Sequence, residues 1–394
     1  MTISPKHVRL GDVLDIRDGT HDTPKYVEYG VPLITSKNLT DNGICFRNIS
    51  YISESDHKEI SKRSAVSKGD ILYGMIGTIG RPTLVETDVQ FSIKNVALFK
   101  LSNPEIDNRY FLYLLKSEEI NKQISQESKG GTQKFVSLGA LRGLKAAFPP
   151  LPEQRRIAAI LDKADALRAK RRETIAKLDQ LLQSVFLEMF GDPVTDPKGW
   201  PLKELWEICD PEDRLNYGVV QPGEDFFGGV PLVRVGDIDG GKISTSSIKT
   251  IDPAIEKAYG RSRLKGNELL ISCVGSIGVV ASVPEYAVGY NIARAITRVP
   301  LARPEHRAFV QECLRSPAVQ RYFTEKTRTV SQPTLNVSFV KSALVICPPA
   351  PLIVKFCEIS EAIERRRQEV ALSADKAAEL FLSLQSYAFS GKPC

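Results

Sequence analysis

Two stretches of the chain show the hydrophobic spacing of a coiled coil. Apolar side chains recur every seven positions through residues 151–190 and again through 351–394, and the two stretches keep the same phase at an offset of 199 residues. The leading heptad positions are Ile157, Ala164, Arg171, Leu178 and Val185, then Phe356, Ile363, Val370, Ala377 and Leu384. The accompanying positions are Ile160 or Leu161, Leu167, Ile175 and Leu181 or Leu182, then Ile359, Ala374, Leu380 or Phe381, and Tyr387. This narrow seam predicts two paired helices of about 55 Å each, whereas a helix lying on its own globule would need a broader apolar face.

Short apolar runs dominate the residues ahead of each predicted helix. They lie at 31–34, 71–76 and 96–101, and again at 230–235, 269–274 and 293–299. Their lengths, and the Gly, Pro, Asn and Asp residues that separate them, predict strands. One helix interrupts each set, at 103–125 and at 303–326, because a proline followed by an acidic residue suits a helix start.

The chain contains one duplicated unit. The Gly-Val-Pro-Leu segment at 30–33 returns at 229–232, and the proline-rich segment at 148–152 aligns with 347–351. A single offset near 199 residues indicates one ancestral unit present twice, with a common frame and divergent loops.

The predicted fold class is α+β, with two strand-rich α/β domains, two long helices in an antiparallel coiled coil, and a pseudo-two-fold internal repeat. The predicted segments are residues 1–150, 151–190, 191–350 and 351–394. Two similar domains at a fixed separation suit a bipartite target, and duplex DNA with two half-sites is the commonest target of that kind.

Composition narrows the class of protein. The 394 residues are 42% hydrophobic and 25% charged, with a formal net charge of +6, which excludes a disordered or low-complexity chain. No apolar run reaches about 18 residues and the N-terminal residues show no secretory signal, so no membrane contact or export is predicted. The seven cysteines are scattered without a CxxC pair. They indicate reduced thiols in the cytoplasm and argue against a structural zinc or another metal site.

Motifs for independent catalysis are absent from the sequence. It has no GxxxxGK[ST] loop, no HExxH, and no Asn/Asp-Pro-Pro-aromatic tetrapeptide of the kind that adenine methyltransferases use. The glycine-rich segment at 74–80 lacks the GxGxxG spacing and predicts a strand edge or bulge instead of a nucleotide loop. None of the histidines has a Ser or Cys partner that recurs in the other copy. We therefore expect no catalytic residues in this chain.

Candidate DNA-contacting residues lie on polar loops, where side chains with fixed donors and acceptors can read base edges. The loops are at 18–26 and 36–38 in the first copy, and at 216–221 and 234–237 in the second. Lys94-Asn95 with Asn291, and Gln133 with Gln332, recur in phase and are expected at phosphates or backbone. The predicted set is Thr20, His21, Thr23, Lys25, Lys37, Asn38, Lys94, Asn95, Gln133, Lys134, Tyr217, Gln221, Arg234, Asp237, Asn291, Arg294, Gln332 and Thr334. For each of them, a solvated loop or a turn residue is the ordinary alternative.

A basic cluster marks the middle of each predicted helix. It comprises Arg168, Arg171 and Arg172 in the first helix and Arg365, Arg366 and Arg367 in the second. A solvated, salt-bridged face explains such a run as well as contact with unread spacer phosphates or with a partner subunit. Arg171 falls on a seam position, where a charge lowers stability and fixes register.

The segment Phe148-Pro-Pro-Leu-Pro-Glu-Gln-Arg-Arg-Ile157, with its long helix and the residues that follow at 190–201, closely resembles the central conserved region of Type I restriction-modification specificity (S) subunits. The segments at 68–80 and 130–141 resemble that family's target recognition domains and the stretch ahead of the helix. The likeness covers essentially the whole chain. The second copy departs from it, because Glu153-Gln154 is replaced by Leu352-Ile353.

The resemblance implies two target recognition domains that read double-stranded DNA, and two helices that act as a ruler for an unread spacer. It also implies two modification (M) subunits, which bind S-adenosylmethionine and methylate adenine N6, and restriction (R) subunits. This chain would then hold no cofactor and perform no chemistry.

Two other classes of protein remain open on the residues alone. A coiled-coil scaffold without sequence readout is disfavoured, because it does not explain why the two copies keep the same framework residues while their loops differ. A self-sufficient nuclease is disfavoured because acid–lysine pairs such as Asp196 and Lys198 have no mate in the other copy.

Overall fold

The structure, a computed structural model, describes residues 7–41, 43–127, 135–193, 198–327 and 333–389. The chain divides into two compact units, the first formed by residues 1–172 and 372–394 and the second by 173–371. Each unit holds one strand-rich globule and a segment of each of two long helices. The predicted α+β class, with its paired long helices and internal repeat, is confirmed.

The helices of the described chain range from one turn to forty residues. They are α1 (Leu10–Val13), α2 (Glu54–Ser64), α3 (Asn108–Leu115), α4 (Glu118–Glu127), α5 (Leu138–Gly143), α6 (Leu151–Phe190), α7 (Pro253–Lys257), α8 (Arg307–Arg315), α9 (Pro317–Thr327), α10 (Val337–Lys341) and α11 (Ala350–Phe389).

The strands of the first unit form an antiparallel sheet, a mixed sheet and two separate pairs. They are β1 (His7–Arg9), β2 (Asp15–Asp18), β3 (Tyr26–Val27), β4 (Val31–Ile34), β5 (Leu39–Thr40), β6 (Gly43–Ile44), β7 (Ser50–Ile52), β8 (Ile71–Gly74), β9 (Gly80–Leu84), β10 (Ser92–Ile93), β11 (Val96–Lys100) and β12 (Lys145–Ala147). The antiparallel sheet has the order β2-β11-β8-β9 and the mixed sheet β10-β4-β7-β3, while β1 pairs with β12 and β5 with β6.

The second unit repeats this topology. Its strands are β13 (Leu202–Glu204), β14 (Asn216–Tyr217), β15 (Val230–Val233), β16 (Ile238–Asp239), β17 (Lys242–Ile243), β18 (Lys249–Ile251), β19 (Glu268–Ser272), β20 (Val280–Ser282), β21 (Asn291–Ile292), β22 (Ile296–Pro300) and β23 (Leu344–Ile346). The sheets have the orders β14-β22-β19-β20 and β18-β15-β21, and the pairs are β13 with β23 and β16 with β17. The same order of strands in both units confirms the internal repeat.

The two long helices begin and end at equivalent positions of the repeat. Each follows a pair of prolines and carries a further proline in its first turn, where the missing N–H costs no hydrogen bond. Helix α6 ends before Gly191, whose positive φ of 81° is the left-handed conformation that terminates helices. At 40 residues each, the helices are about 60 Å long.

In the first unit, the start of α6 packs antiparallel to the end of α11. Leu161 and Phe381 are buried together with Tyr113 of α3, and Ile157 and Leu384 pack against this cluster. Residue numbers that rise on α6 meet falling numbers on α11, so the pairing is antiparallel. The predicted seam therefore exists in this unit.

The second unit joins the end of α6 to the start of α11 through four phenylalanines. Phe190 lies 4.9 Å from Phe309 and 5.6 Å from Phe356, measured between ring centroids, and Phe186 lies 5.6 Å from Phe356. These rings meet mostly edge to face, which favours aromatic pairs beyond the burial of their area. The pairing is antiparallel here as well.

The structure corrects some of the accompanying heptad positions that the sequence predicted. Where the pattern left two choices, Leu161, Leu182 and Phe381 face inward, whereas Ile160, Leu181 and Leu380 are exposed. The predicted seam residues Leu167 and Tyr387 are exposed, and Arg168 takes the inner position beside Leu167. The error arose because a long arginine stem can occupy an apolar position while its charged end reaches a partner.

The predicted helices at 103–125 and 303–326 are each two helices. The first begins only at Asn108, where the carboxylate of Asp107 accepts a hydrogen bond from the Tyr110 N–H at 3.0 Å. It breaks at Lys116-Ser117 before α4, and the second breaks at Ser316 before α9. Ser117 and Ser316 bind the new helix starts through their side chains, which explains the break.

Three features of the described residues bear on chemistry. No helix of the described chain is long and apolar enough to cross a membrane. Within the same residues, no group of three or more His, Cys, Asp or Glu side chains could hold a metal ion. The cysteines of the described chain are free thiols.

Candidate nucleic-acid interface

In the first unit, the polar residues 18–26, here called loop A, cross the end of strand β10. The Thr20 N–H donates to the Ile93 carbonyl at 3.0 Å, and the Asn95 N–H donates back to the Thr20 carbonyl at 3.1 Å. The Gly19 N–H adds a bond to the Val96 carbonyl at 2.9 Å. Loop A is therefore held by its backbone, which leaves its side chains available for contacts.

In the second unit, residues 216–221, here called loop B, cross the end of β21 in the same way. The Val219 N–H donates to the Ile292 carbonyl at 2.8 Å, and the Arg294 N–H donates to the Val219 carbonyl at 2.9 Å. Both loops make an isolated parallel bridge at this point, Thr20 with Lys94 and Val219 with Ala293. The two loops thus share one backbone frame.

The side chains on this shared frame differ in chemistry. Where loop A carries His21, loop B carries Val220, and the position of Lys94 is taken by Ala293. Asn95 corresponds to Arg294, because both donate the same returning hydrogen bond. The first unit thus presents a histidine, a lysine and an amide at these three positions, whereas the second unit presents a valine, an alanine and an arginine.

His21 is the most constrained polar side chain of loop A. Its Nε2 lies 2.9 Å from Asp18 Oδ2 and its Nδ1 lies 3.0 Å from Asn95 Oδ1, while 52% of the side chain stays exposed. Asp18 is buried and also accepts a hydrogen bond from Arg63 of α2. The bonds to Asn95 and to Asp18 raise the pKa of the imidazole above its ordinary value of 6.5. A positively charged ring is therefore favoured at an exposed point of the loop.

Three further predicted cations of the first unit are Lys94, Lys25 and Lys37. Lys94 reaches over the loop and bonds the hydroxyl of Thr23, while the Thr20 hydroxyl donates to the Asp22 carbonyl at 3.4 Å. The side chains of Lys25 and Lys37 are exposed. The structure thus brings five predicted residues (Thr20, His21, Thr23, Lys94 and Asn95) together at one edge of the globule.

Three predicted DNA-contacting residues lie inside the protein instead. Asn38 and Asp237 occupy the same repeat position and accept the backbone N–H of Thr35 and Arg234 at 3.0 and 2.8 Å. Each thereby fixes the turn that follows β4 or β15. Asn291 is fully buried. These are frame residues whose polar atoms are bonded inside the protein, so we correct their interpretation as DNA-contacting residues.

Asn291 also has a different repeat mate from the one that the sequence indicated. It accepts from the Ser262 hydroxyl at 2.7 Å and donates to Glu256 at 3.0 Å. It pairs with Leu232 as Ser92 pairs with Leu33, so it corresponds to Ser92 rather than to Asn95.

The other candidates of the second unit are more accessible. Tyr217, Gln221 and Arg294 are exposed. Arg234 is half-buried, because Asp237 and the Ser247 carbonyl hold its guanidinium. Thr334 is half-buried and bridges Val274 through its backbone. Gln133, Lys134 and Gln332 lie outside the described residues.

The helix arginines separate into two groups. Arg168 and Arg367, which are repeat mates, face inward, whereas Arg172, Arg365 and Arg366 are exposed and Arg171 is half-buried. In the first unit, the Arg168 guanidinium lies 4.4 Å from the Phe381 ring centroid. In the second, Arg367 Nε lies 2.9 Å from Asp179 Oδ1. The inner pair contacts the facing helix, whereas the outer group lies on the surface, where Arg366 Nη1 bonds Glu369 Oε2 at 2.7 Å.

Sequence reasoning missed the role of Gln154 at the start of α6. Its Nε2 donates to the carbonyls of Glu105 and Pro149, both at 2.8 Å, and its Oε1 accepts from the Asp107 N–H at 2.9 Å. These bonds fasten the long helix to the globule of its own unit. The sequence signal that could have revealed this role is the difference between the copies at this position. The second copy has Ile353 in place of Gln154, and Ile353 packs in an apolar cluster.

The glycine-rich segment at 74–80 links two antiparallel strands. The register between β8 and β9 shifts between Leu72 and Gly74, and Gly77 and Gly80 have positive φ. This is the bulge that the spacing predicted.

Several known proteins are similar in sequence to this chain. Residues 5–179 match the family model described as Type I restriction modification DNA specificity domain. The chain is 28% identical over 326 residues to the Type I restriction enzyme EcoBI specificity subunit of Escherichia coli, which covers 75% of this chain and 66% of that protein. It is 22% identical to the Type I restriction enzyme MjaIX specificity subunit of Methanocaldococcus jannaschii, over 88% of this chain and 84% of that protein. The chain thus spans just under two thirds of the length of the first relative.

A solved structure shares the fold. The S subunit of a Type I restriction-modification system from M. genitalium aligns with a TM-score of 0.56 and 14% identity, over 98% of this chain and 96% of that one. The two named relatives are specificity subunits, and the solved structure is an S subunit.

Proposed function

We propose that the chain is a Type I restriction-modification specificity subunit that reads a bipartite sequence in double-stranded DNA, because residues 5–179 match that family's DNA specificity domain and its relatives carry that name. Loop A and its neighbours read one half-site, and loop B and its neighbours read the other. One observation carries this proposal: the two loops keep the same backbone hydrogen bonds while their exposed side chains differ. A shared frame with different donors and acceptors is what two readers of different half-sites require.

The long helices determine the unread spacer between the half-sites. Both α6 and α11 run without interruption through the residues of both units, and each pairs antiparallel with the other inside each unit. Such helices keep their length because their backbone hydrogen bonds are internal. Removal of one heptad from each helix should therefore shorten the spacer and leave both half-sites unchanged.

The chain works with catalytic partners and performs no chemistry itself. Two modification subunits that bind S-adenosylmethionine supply adenine methylation, and restriction subunits supply cleavage. The exposed arginines Arg172, Arg365 and Arg366 offer contacts for these partners or for spacer phosphates. The purified chain with S-adenosylmethionine and DNA should transfer no methyl group.

Methylome sequencing of a host that expresses the chain with a modification subunit tests the proposal. We expect one bipartite motif, and replacement of residues 1–150 by the equivalent domain of a relative should change only one half of it. A matched chimera with residues 191–350 replaced should change only the other half. Methylation without a bipartite motif, or a change in both halves after one replacement, would contradict the proposal and favour a scaffold without sequence readout.

A further inference from the structure

His21 and Asn95 form a hydrogen-bonded pair whose two members constrain each other. Asp18 Oδ2 faces the Nε2 of His21, and because Asp18 is buried and held by Arg63, this nitrogen keeps its proton in both charge states of the ring. Only Nδ1, which lies 3.0 Å from Asn95 Oδ1, can gain or lose a proton. A change in the charge of His21 therefore alters only one hydrogen bond, the bond to Asn95.

The contact requires a different face of the Asn95 amide in each charge state. A charged imidazole donates from Nδ1 and needs the amide oxygen, as the structure shows, whereas a neutral ring accepts at Nδ1 and needs the amide nitrogen. The Asn95 backbone cannot move to satisfy this change. Its N–H bonds the Thr20 carbonyl at 3.1 Å, its carbonyl accepts from the Met75 N–H at 3.4 Å, and its φ of 54° is left-handed. The side-chain amide must therefore turn over.

We propose that the protonation of His21 selects which group of Asn95 is offered to DNA. With a charged ring, Asn95 Oδ1 is occupied and the amide nitrogen faces outward as a donor. With a neutral ring, the nitrogen is occupied and the oxygen faces outward as an acceptor. This inference rests on the proposed function, because it assigns loop A to one half-site.

The exchange of donor for acceptor predicts an exchange of preferred bases. In the major groove, an outward donor suits guanine N7 and O6 or thymine O4, whereas an outward acceptor suits the amino groups of adenine N6 or cytosine N4. Loop B serves as an internal reference, since Val220 stands where His21 does and Arg294 stands where Asn95 does. Loop B carries no imidazole at this point, so the second half-site should not respond.

The charged groups that face the ring come from the elements packed around it. Asp18 of β2 favours the charged ring and Arg63 of α2 opposes it, while Asn95, on the turn between β10 and β11, is neutral. The net effect on the pKa of His21 is upward, so the donor form of Asn95 persists to a pH above 6.5.

Binding of the full chain to a duplex library tests the inference. The library carries every base at each position of both half-sites, and affinities are compared at about pH 5.5 and about pH 8.5. We expect the base preference at one position of the first half-site to change by about tenfold between the two conditions, with no change in the second half-site. An unchanged first half-site, or an equal change in both half-sites, would overturn the inference. If no bipartite preference is found at either pH, the proposed function itself fails.

Two variants and one control distinguish an effect of the His21–Asn95 pair on base preference from a general effect of pH on binding. Asn95→Asp offers oxygen on both faces, so the first half-site should keep the acceptor preference at both pH values. His21→Ala should bind without any change in preference. His306→Gln removes a histidine of the second unit and should leave the response intact. If His21→Ala keeps the wild-type response, another group titrates and the inference is wrong; retained reading of the second half-site shows that each variant is folded.

Discussion

Replacement of Gly19 or Gly218 by alanine should abolish the reading of one half-site and leave the other intact. The two glycines occupy the same repeat position, at the point where loops A and B cross the sheet. A Cβ at Gly19 would lie 2.2 Å from the carbonyl oxygen of Ile93, and one at Gly218 would lie 1.7 Å from that of Ile292. Ordinary contacts of this kind are 3.4–4 Å, so the loop must move away from the strand by more than 1 Å.

The cost of this movement follows from the bonds that it breaks. At Gly19 these are the bond of its own N–H to Val96 at 2.9 Å and the bond of Thr20 to Ile93 at 3.0 Å. Each lost bond costs about 0.5–1.5 kcal/mol, and the strain of overpacking adds about 1–3 kcal/mol. We therefore expect each alanine to destabilise its loop frame by about 2–6 kcal/mol, which is about 30-fold to 25,000-fold in the population of the ordered loop.

The assay is affinity for duplexes in which one half-site at a time is scrambled. Gly19→Ala should make the chain indifferent to the first half-site, and Gly218→Ala to the second. Gly139→Ala and Gly236→Ala are matched controls in the two units, because an added Cβ meets nothing closer than 3.9 Å at the first and nothing within 4 Å at the second. If Gly19→Ala and Gly218→Ala read both half-sites normally, the frame is not the basis of readout.

Two further predictions concern stability. Arg298→Leu should destabilise the second unit by about 3–5 kcal/mol, because the fully buried guanidinium binds Glu268 at 2.7 Å and Asp213 at 2.9 Å, and its loss leaves the buried Glu268 carboxylate without a cation. Urea denaturation of the full chain measures this loss. Burial opposes ionisation of Asp213, but bonds from Arg298 and Lys265 outweigh it and lower its pKa; its contribution is therefore complete above the ordinary value of 3.8 and is lost as the pH falls through the folded-state pKa. Gln154→Ala should cost about 2–4 kcal/mol and abolish the exchange protection of the Asp107 amide, as measured by hydrogen exchange.

These stability predictions have internal controls. Lys265→Ala removes only an exposed partner of Asp213 and should change the stability by no more than about 1 kcal/mol. Gln180→Ala, on the exposed face of the same helix as Gln154, should change it by no more than about 0.5 kcal/mol. Equal effects of Gln154→Ala and Gln180→Ala would show that the buried amide does not fasten the helix. A stability profile without an acid-sensitive step in the second unit would contradict the role given to Asp213.

Elements with a strong periodic signal could be predicted from the sequence, and elements fixed by single side chains could not. Both 40-residue helices and strand β4 follow from their apolar patterns alone. The break between α3 and α4 was missed, because Ser117 competes for the backbone locally and periodicity cannot register one hydroxyl. The inner position of Arg168 was missed for a related reason, since hydrophobicity assigns a charge to the surface.

The candidate site shows the same distinction between features that a sequence pattern predicts and features that single side chains determine. Composition indicated polar loops, but it could not show which of their polar residues bind the protein's own backbone. Asn38 and Asp237 both cap the same turn, three residues after Thr35 and Arg234. A polar residue at that spacing is a sign of a cap. In a duplicated protein of this kind, positions that agree between copies belong to the frame, and those that differ, such as His21 and Val220, are the better candidates for readout.

The inner arginines extend this reasoning from the loops to the helices. Arg168 and Arg367 hold the same repeat position, yet the first stacks on Phe381 and the second pairs with Asp179. A slip of one heptad would set Arg168 against Ala374 or Ala388, and Arg367 against Arg172 or Phe186. Each alternative removes the ring or the carboxylate that the facing helix supplies, and a polar group at a seam position trades stability for register. The two copies therefore keep the position of the half-buried charge and differ in its partner, and inside each unit the arginine favours the observed pairing of the two helix segments.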